Sequence, residues 1–211
     1  MELIPKSGYT IANTFARSAL EAFENVMGEN GLNAILHLAG LSHRIDQFPA
    51  DDLERGFDFA EFTALNAALE ELYGFRGGRG LALQAGRATF NTALKNYGAL
   101  AGLGAPAFKG LPLQAKTRIG LPAASRILAQ ITDQQTTVAE VEDAYLWTIQ
   151  RCPICWTRKG AEKPVCHFST GLLHGLLTWV SGGLDFRIDE SKCSAVGGDV
   201  CEFVIQKFPV S

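Results

Sequence analysis

Residues 166–207 read "CHFSTGLLHGLLTWVSGGLDFRIDESKCSAVGGDVCEFVIQK", and this stretch decides the fold. Its first half places apolar residues at three- and four-residue steps, a spacing that predicts an amphipathic helix. In the second half, "LDFRIDE" and "CEFVIQKF" alternate apolar and polar residues, which is typical of strands. We therefore expect residues 184–190 and 201–207 to pair as an antiparallel hairpin around a Gly-Gly turn. The apolar face of the helix consists of Phe168, Leu172, Leu173, Leu176, Trp179 and Val180.

The first half of the chain is predicted to be helical. Apolar periodicity predicts two helices within residues 10–40 and another over residues 59–73. Gly74 ends the latter helix, because glycine tolerates the left-handed conformation. Helical spacing then resumes over residues 78–98.

Residues 102–122 contain three prolines and four glycines, a composition that argues against a long regular element. This segment is predicted to be a loop, which is either a plain connection over the core or the movable rim of a pocket. A helix over residues 123–134 and a hairpin that turns near Glu142 and Asp143 are expected to follow. Helices followed by an antiparallel sheet with one helix packed on it define an α+β fold class.

Composition excludes several function classes. The chain has 211 residues, a net charge of −3 and 47% hydrophobic residues, and it carries no basic cluster that would bind nucleic acid. We see neither a secretory signal nor an apolar run long enough to span a membrane. These features predict a protein of the reducing cytoplasm, where five unevenly spaced cysteines favour metal or thiol chemistry over disulfides.

Four residues of the opening stretch are candidate metal ligands: Cys166, Glu190, Cys193 and Cys201. Pairing of the two strands would bring Glu190, Cys193 and Cys201 together, and the start of the helix would add Cys166. Thiolates together with a carboxylate suit zinc, which takes sulfur and oxygen ligands in tetrahedral geometry. The alternative is that these cysteines fill the core as small apolar residues. Glu190 argues against packing alone, because a buried carboxylate needs a partner.

A second cysteine pair, Cys152 and Cys155 in "CPIC", allows several interpretations. The pair can replace Glu190 in the metal site, bind a second ion, or remain as free thiols. A thioredoxin-like redox role would require a helix directly after the pair, whereas a polar loop follows it. The sequence alone leaves these alternatives open. It contains no nucleophile elbow, phosphate-binding loop or dinucleotide fingerprint, so we assign no catalytic residue.

The segments "PVCHFSTGLLHGLL" and "FRIDESKCSAVGGDVCEFVI" resemble the 4-vinyl reductase domain family, and "ALEELYGFRGGRGLALQAGR" resembles its helical part. The resemblance covers roughly residues 60–208. It implies an α/β fold similar to TRAPP subunits, a homodimer, and a pocket for an apolar or aromatic small molecule. In the aromatic-sensor members, three cysteines and one glutamate hold zinc, and these positions correspond to Cys166, Glu190, Cys193 and Cys201. The predicted domains are an N-terminal helical extension for dimerisation over 1–58 and a small-molecule-binding domain over 59–211.

These observations predict a zinc-containing carrier or sensor module for a hydrophobic small molecule, either a tetrapyrrole intermediate or an aromatic compound. One alternative is a reductase or accessory enzyme of (bacterio)chlorophyll biosynthesis, although no hydride-source motif is present. Another is a scaffold or assembly protein. Aromatic residues are the candidate lining of the pocket, and core packing is the alternative role for each. They are Phe90, Tyr97, Phe108, Trp147, Phe168 and Trp179.

Overall fold

The computed structural model describes residues 5–97 and 106–210, with the backbone alone described at 94–97, 106 and 107. Helices fill the first two thirds of the chain, and a four-stranded antiparallel sheet with one further helix fills the last third. The predicted α+β fold class is therefore confirmed. Within the described ranges, no helix combines the length and the apolar character that crossing a membrane requires.

The chain begins with a small two-stranded sheet and two helices. Strand β1 (Thr10–Ala12) pairs antiparallel with β2 (Arg55–Asp58), which places Ile11 opposite Phe57. Helices α1 (Asn13–Met27) and α2 (Glu29–Leu38) lie between them. The two helices predicted within residues 10–40 are thus confirmed.

The long helix α3 (Phe59–Tyr97) contains one break, at Gly74, where φ is 69°. The predicted end of a helix at this glycine, and the resumption of helix after it, are confirmed. A short helix α4 (Pro106–Lys109) and the longer α5 (Leu113–Ile131) follow.

The prediction of a loop over residues 102–122 is wrong for most of this segment, which is helical. Helix α5 begins ten residues before the expected start at 123 and carries Pro122 in its interior. Its glycine has a packing role, because a Cβ on Gly120 would lie 3.2 Å from Cγ2 of Val180. The buried face of α5 outweighs the local preference of glycine and proline. Residues 102–105 of the predicted loop lie outside the described part.

The main sheet has the order β3-β4-β6-β5, and all neighbouring strands are antiparallel. Its strands are β3 (Thr136–Glu140), β4 (Ala144–Ile149), β5 (Phe186–Lys192) and β6 (Cys201–Pro209). Register pairs Ile149 with Cys201 and Trp147 with Phe203. Both predicted hairpins are confirmed. Helix α6 (His167–Ser181) connects the two halves of the sheet.

Helices α3 and α6 pack backbone against backbone at two glycines. A Cβ on Gly86 would overlap the carbonyl oxygen of Phe168, and a Cβ on Gly171 would overlap that of Leu83. Glycine is therefore required at both positions. This close contact fixes α6, and with it the residue at its N-terminus, against the long helix.

The apolar side chains of α1 and α2 are covered within the chain. Phe15, Phe23, Leu32 and Ile35 are buried and share one core with the sheet and α6. The predicted homodimer stays a prediction. The domain division at residues 58 and 59 stays a prediction as well.

Candidate metal centre

All five cysteines of the chain converge at one end of the sheet. They come from four places in the fold: the turn after β4, the N-terminus of α6, the end of β5 and the start of β6. Each thiol is buried, with exposed fractions of 3% or less, and none forms a disulfide. The five residues are Cys152, Cys155, Cys166, Cys193 and Cys201.

Cys166 lies at the centre of this cluster. Its Sγ is 3.5 Å from that of Cys152, 3.6 Å from that of Cys201 and 3.8 Å from that of Cys193. The Sγ atoms of Cys155 and Cys201 are 3.4 Å apart. Tetrahedral zinc with bonds of about 2.3 Å to sulfur separates its thiolates by about 3.8 Å. The spacing of the sulfur atoms therefore fits a bound metal ion.

Two sets of four donors meet the spatial requirement of a metal site. One set is Cys166, Glu190, Cys193 and Cys201, which is the set predicted from the sequence. The other consists of Cys152, Cys155, Cys166 and Cys201. Within each set, all four donor atoms lie within 4.8 Å of one another. The cluster can therefore hold a metal ion with either set.

Local hydrogen bonds hold the cysteine-bearing segments in place. The hydroxyl of Thr63 on α3 donates to the carbonyl of Pro153 (2.7 Å) and accepts from the backbone N–H of Trp156 (3.0 Å). The carbonyl of Cys193 accepts the N–H groups of Val196 and Gly198, which closes the turn before β6. The role of Thr63 was not predicted, because a single threonine on a helix gives no signal for a contact 90 positions away.

Glu190 faces the cluster with one oxygen free. Its Oε2 accepts the backbone N–H of Cys166 at 2.9 Å, whereas its buried Oε1 has no hydrogen-bond partner among the residues that the structure describes. Burial raises the pKa of this carboxyl to about 9, and the negative charge of the nearby Cys193 thiolate acts in the same direction. A cation at the cluster would give Oε1 a partner and favour the carboxylate.

The thiols divide into two electrostatic classes. Hydrogen bonds from Cys155 and Cys166 lower the pKa of Cys193 to about 6, and hydrogen bonds from the surrounding thiols, Cys152 first, lower the pKa of Cys201. Burial raises the pKa of Cys152 and of Cys166. The N–H and hydroxyl of Ser194 also lie 3.5 and 3.4 Å from the Cys201 sulfur. Thiolate donors of this kind, with one carboxylate, are ligands for a borderline-soft metal such as zinc.

An apolar cavity of about 100 Å³ adjoins the cluster, between α3, α5 and α6 on one side and β4 on the other. Its walls come from Ile127 and Leu128 of α5, Leu172 of α6 and Trp147 of β4. Pro153 and Ile154, the two residues between Cys152 and Cys155, also line it. The cavity and the cysteine cluster therefore share one turn of the chain.

The predicted pocket aromatics fall into three groups. Phe90, Trp147 and Phe168 line the cavity. Phe108 and Trp179 stack on each other with ring centroids 6.0 Å apart, and neither is among the lining residues. The side chain of Tyr97 lies outside the described part of the structure. The aliphatic lining residues of α5 lie within the helix predicted over 123–134, and they were missed because only aromatic side chains were considered as lining.

Comparison with solved structures shows the H-NOX fold. The chain is 14% identical to the unliganded Fe(II) H-NOX protein from K. algicida, with a TM-score of 0.57 over 93% of this chain and 96% of that chain. A mutant of T. tengcongensis H-NOX gives 14% identity and a TM-score of 0.55 over 95% and 100%. A Cs H-NOX mutant gives 13% and 0.60 over 95% and 98%.

Sequence comparison identifies the part of the chain that carries the cluster. No curated protein sequence matches the chain. The family model of the 4-vinyl reductase domain matches residues 147–207, a range that contains all five cysteines, Glu190 and Trp147. This match confirms the resemblance to the 4-vinyl reductase domain family over residues 147–207, whereas its extension over residues 60–146 stays a prediction.

Proposed function

We propose that this protein is a zinc-containing module that binds a compact apolar small molecule, without chemical conversion, in the cavity beside the cysteine cluster. The observation that carries the proposal is the cavity, whose described lining is almost entirely aliphatic and aromatic. Small-molecule sites gain most of their affinity from buried apolar surface, and a few polar groups fix the orientation. Thr132, Gln134 and Ser169 are the polar residues of the lining that can take that role.

The size of the cavity favours a ligand with a single aromatic ring. An engineered cavity of about 150 Å³ with a similar lining binds benzene, and typical ligand sites of about 300–1,000 Å³ hold much larger molecules. The cavity of about 100 Å³ is closer in size to the cavity that binds benzene. A tetrapyrrole is much larger than this cavity, so we propose an aromatic ligand in preference to a tetrapyrrole.

The lining also argues against a haem bound through its iron. Haem iron is held by histidine, cysteine, methionine or tyrosine side chains. None of these residue types occurs among the described residues that line the cavity. H-NOX structures described as unliganded Fe(II) proteins have the same fold, but we do not transfer their iron to this chain.

Zinc is the metal we propose for the cysteine cluster. Three thiolates and the carboxylate of Glu190 form a closed tetrahedral set, and the free Oε1 atom of Glu190 supplies the oxygen ligand. Such a closed site stabilises a fold and leaves no open position for substrate. The proposed role of zinc is therefore to hold the N-terminus of α6 against β5 and β6, and with it the wall of the cavity that α6 supplies.

Tryptophan fluorescence tests the binding proposal, because the chain offers a matched pair of reporters. Trp147 lines the cavity and Trp179 lies outside its lining. Phenols and other single-ring aromatics should quench fluorescence and raise the melting temperature, as any ligand that prefers the native state does. Trp147→Phe should remove the quenching, whereas Trp179→Phe should retain it. The ligand should be recovered unaltered by mass spectrometry.

The other outcomes separate the remaining interpretations. A panel of phenols, porphyrins and fatty acids that gives neither quenching nor stabilisation would refute the binding module and favour a scaffold. Recovery of a reduced product in the presence of a hydride donor would favour the reductase. Quenching by porphyrins and by no other compound would favour a tetrapyrrole as the ligand. The homodimer stays a prediction, which light scattering tests against the 22.8 kDa mass of one chain.

A further inference from the structure

The two candidate ligand sets overlap in a specific way. They share the sulfur atoms of Cys166 and Cys201 and differ in their other two donors. Cys152 and Cys155 complete one set, and Glu190 and Cys193 complete the other. Two sets of four donors with two members in common are the ligands that a pair of tetrahedral metal ions joined by two bridging thiolates would need.

The geometry of the shared pair agrees with such an arrangement. The two shared sulfur atoms, those of Cys166 and Cys201, are 3.6 Å apart. Each also lies close to one sulfur of the "CPIC" turn, at 3.5 Å from Cys152 and at 3.4 Å from Cys155, respectively. The distance from each "CPIC" sulfur to its nearest shared sulfur is therefore close to the value of about 3.8 Å that separates two thiolates bound to one zinc ion.

The charge of a two-ion centre is also acceptable in this environment. One divalent ion bound by four thiolates carries two excess negative charges, as in ordinary structural zinc sites. Two divalent ions bound by five thiolates and one carboxylate carry the same excess. Cys166 directly precedes the N-terminus of the 15-residue helix α6, whose dipole favours negative charge. The N–H of Ser194 points to the Cys201 sulfur at 3.5 Å.

We propose that the cluster binds two zinc ions, with the thiolates of Cys166 and Cys201 bridging them. Cys152 and Cys155 complete the coordination of the first ion, and Glu190 and Cys193 complete that of the second. This inference rests on the zinc site of the proposed function and adds a second ion to it. It gives the "CPIC" pair a role as terminal metal ligands rather than as a redox couple.

An iron–sulfur cluster fits the same residues less well. Inorganic sulfides would have to lie among the irons and the cysteine sulfurs, which spreads the thiolates apart. Within each set, every donor atom is within 4.8 Å of the other three. The direct contacts of 3.4–3.8 Å between thiols leave space for metal ions and little for sulfide.

Metal stoichiometry tests the inference, since bridging and terminal ligands give different results. Elemental analysis of protein purified from zinc-supplied cultures should give about two zinc ions per chain. Cys152→Ser/Cys155→Ser should give about one, and so should Glu190→Gln/Cys193→Ser. Cys166→Ser or Cys201→Ser should lose both ions, because each of these residues binds both. Ser181→Ala is the control, since its hydroxyl bonds only to Thr178 and Leu184 at the far end of α6, and it should retain both ions.

A titration of apo protein with Co²⁺ keeps the test informative where a bridging variant does not fold. Absorption from thiolate to cobalt should saturate at about two equivalents in the wild type and at about one in the Cys152→Ser/Cys155→Ser variant. Saturation at one equivalent in both proteins would refute the second ion and leave the proposed single zinc site intact. Absence of zinc from the wild-type protein would refute both. Detection of iron together with acid-labile sulfide would refute both zinc proposals and indicate an iron–sulfur centre.

Discussion

The Sγ atoms of Cys166 and Cys201 lie 3.6 Å apart, although 35 positions separate the two residues in the chain. Cys166 immediately precedes α6, and Cys201 begins β6, the central strand next to β4 and β5. A metal ion bound to both sulfurs joins the helix directly to the sheet. Metal binding at this point would therefore be part of the free energy of folding.

Removal of the metal should lower the stability of the whole chain. A ligand present at 100 times its dissociation constant contributes about 2.7 kcal/mol to the free energy of unfolding. For a domain of this size, each kcal/mol corresponds to about 2–4 °C in melting temperature. We expect EDTA treatment to lower the melting temperature by about 5–11 °C, as calorimetry will measure. Readdition of zinc should restore it, whereas readdition of Mg²⁺ should not.

Filling the cavity should abolish ligand binding without unfolding the protein. Ala124 lines the cavity from α5, so Ala124→Leu places three more carbon atoms inside it. Ala129 on the same helix is exposed, and Ala129→Leu is the matched control. We expect the ligand-induced rise in melting temperature to vanish in the first variant and to persist in the second. An undiminished rise in Ala124→Leu would show that the ligand binds elsewhere.

A methyl group at the α3–α6 contact should destabilise the fold. The Cβ of Gly171→Ala would overlap the Leu83 carbonyl, a backbone atom that cannot turn aside, so we expect a loss of about 1–3 kcal/mol in urea unfolding. Gly80 lies in α3, the helix that packs against α6, and a Cβ at this position meets nothing within 4 Å. Gly80→Ala should therefore be neutral or should stabilise by up to about 1 kcal/mol. Equal effects of the two changes would contradict the close packing of these helices.

The acid limb of the stability profile should depend on Asp58 at the start of α3. Burial acts to raise the pKa of this carboxyl, but hydrogen bonds from the Ser7 backbone and hydroxyl and from the N–H groups of Ala60 and Gly8 lower it below 3.8. Because the folded-state pKa is depressed, the stabilisation is present above about pH 4 and is lost as the pH falls through the folded-state pKa. Asp58→Asn should cost about 1–2 kcal/mol at pH 7, because the amide keeps only one of the two acceptor oxygens and its hydrogen bonds lose the assistance of the negative charge.

Urea unfolding of both proteins across the acid range measures this effect. The difference between wild type and Asp58→Asn should shrink as the pH falls below about 4, since the wild-type carboxyl then becomes neutral as well. A difference that stays constant from pH 7 to pH 3 would contradict the assigned hydrogen-bonded carboxylate.

Local pattern predicted much of this fold, because its periodicity reflects burial on one face. The alternation in "LDFRIDE" and "CEFVIQKF" corresponds to β5 and β6, and the helical stripe after Cys166 corresponds to α6. The glycine and proline content of residues 113–122 led to the wrong prediction of a loop. In the structure this segment is helical and is stabilised by distant contacts such as that of Gly120 with Val180. Sequence pattern carries no information about such contacts.

The candidate site was predictable only in part for the same reason. The hairpin brings Glu190, Cys193 and Cys201 together through local pairing, and the sequence analysis expected that. The approach of Cys152 and Cys155 depends on Thr63 of α3, which holds their turn from a remote part of the chain. The predicted lining contained the three aromatic residues that line the cavity and also two that stack on each other elsewhere. Aromatic content alone does not distinguish a cavity wall from a packed core.

The turn Cys152–Cys155 has a thermodynamic consequence beyond its place in either site. Its two outer residues contribute sulfur to the cluster, and its two inner residues, Pro153 and Ile154, contribute to the cavity wall. In the proposed two-ion centre, displacement of the turn by a ligand would change the coordination free energy, and a change of metal would alter the shape of the cavity that the ligand meets. The two affinities are therefore linked by one coupling free energy, which has the same magnitude in both directions. Exchange of zinc for a larger ion such as cadmium should shift the ligand affinity by the same factor by which the ligand shifts the zinc–cadmium exchange.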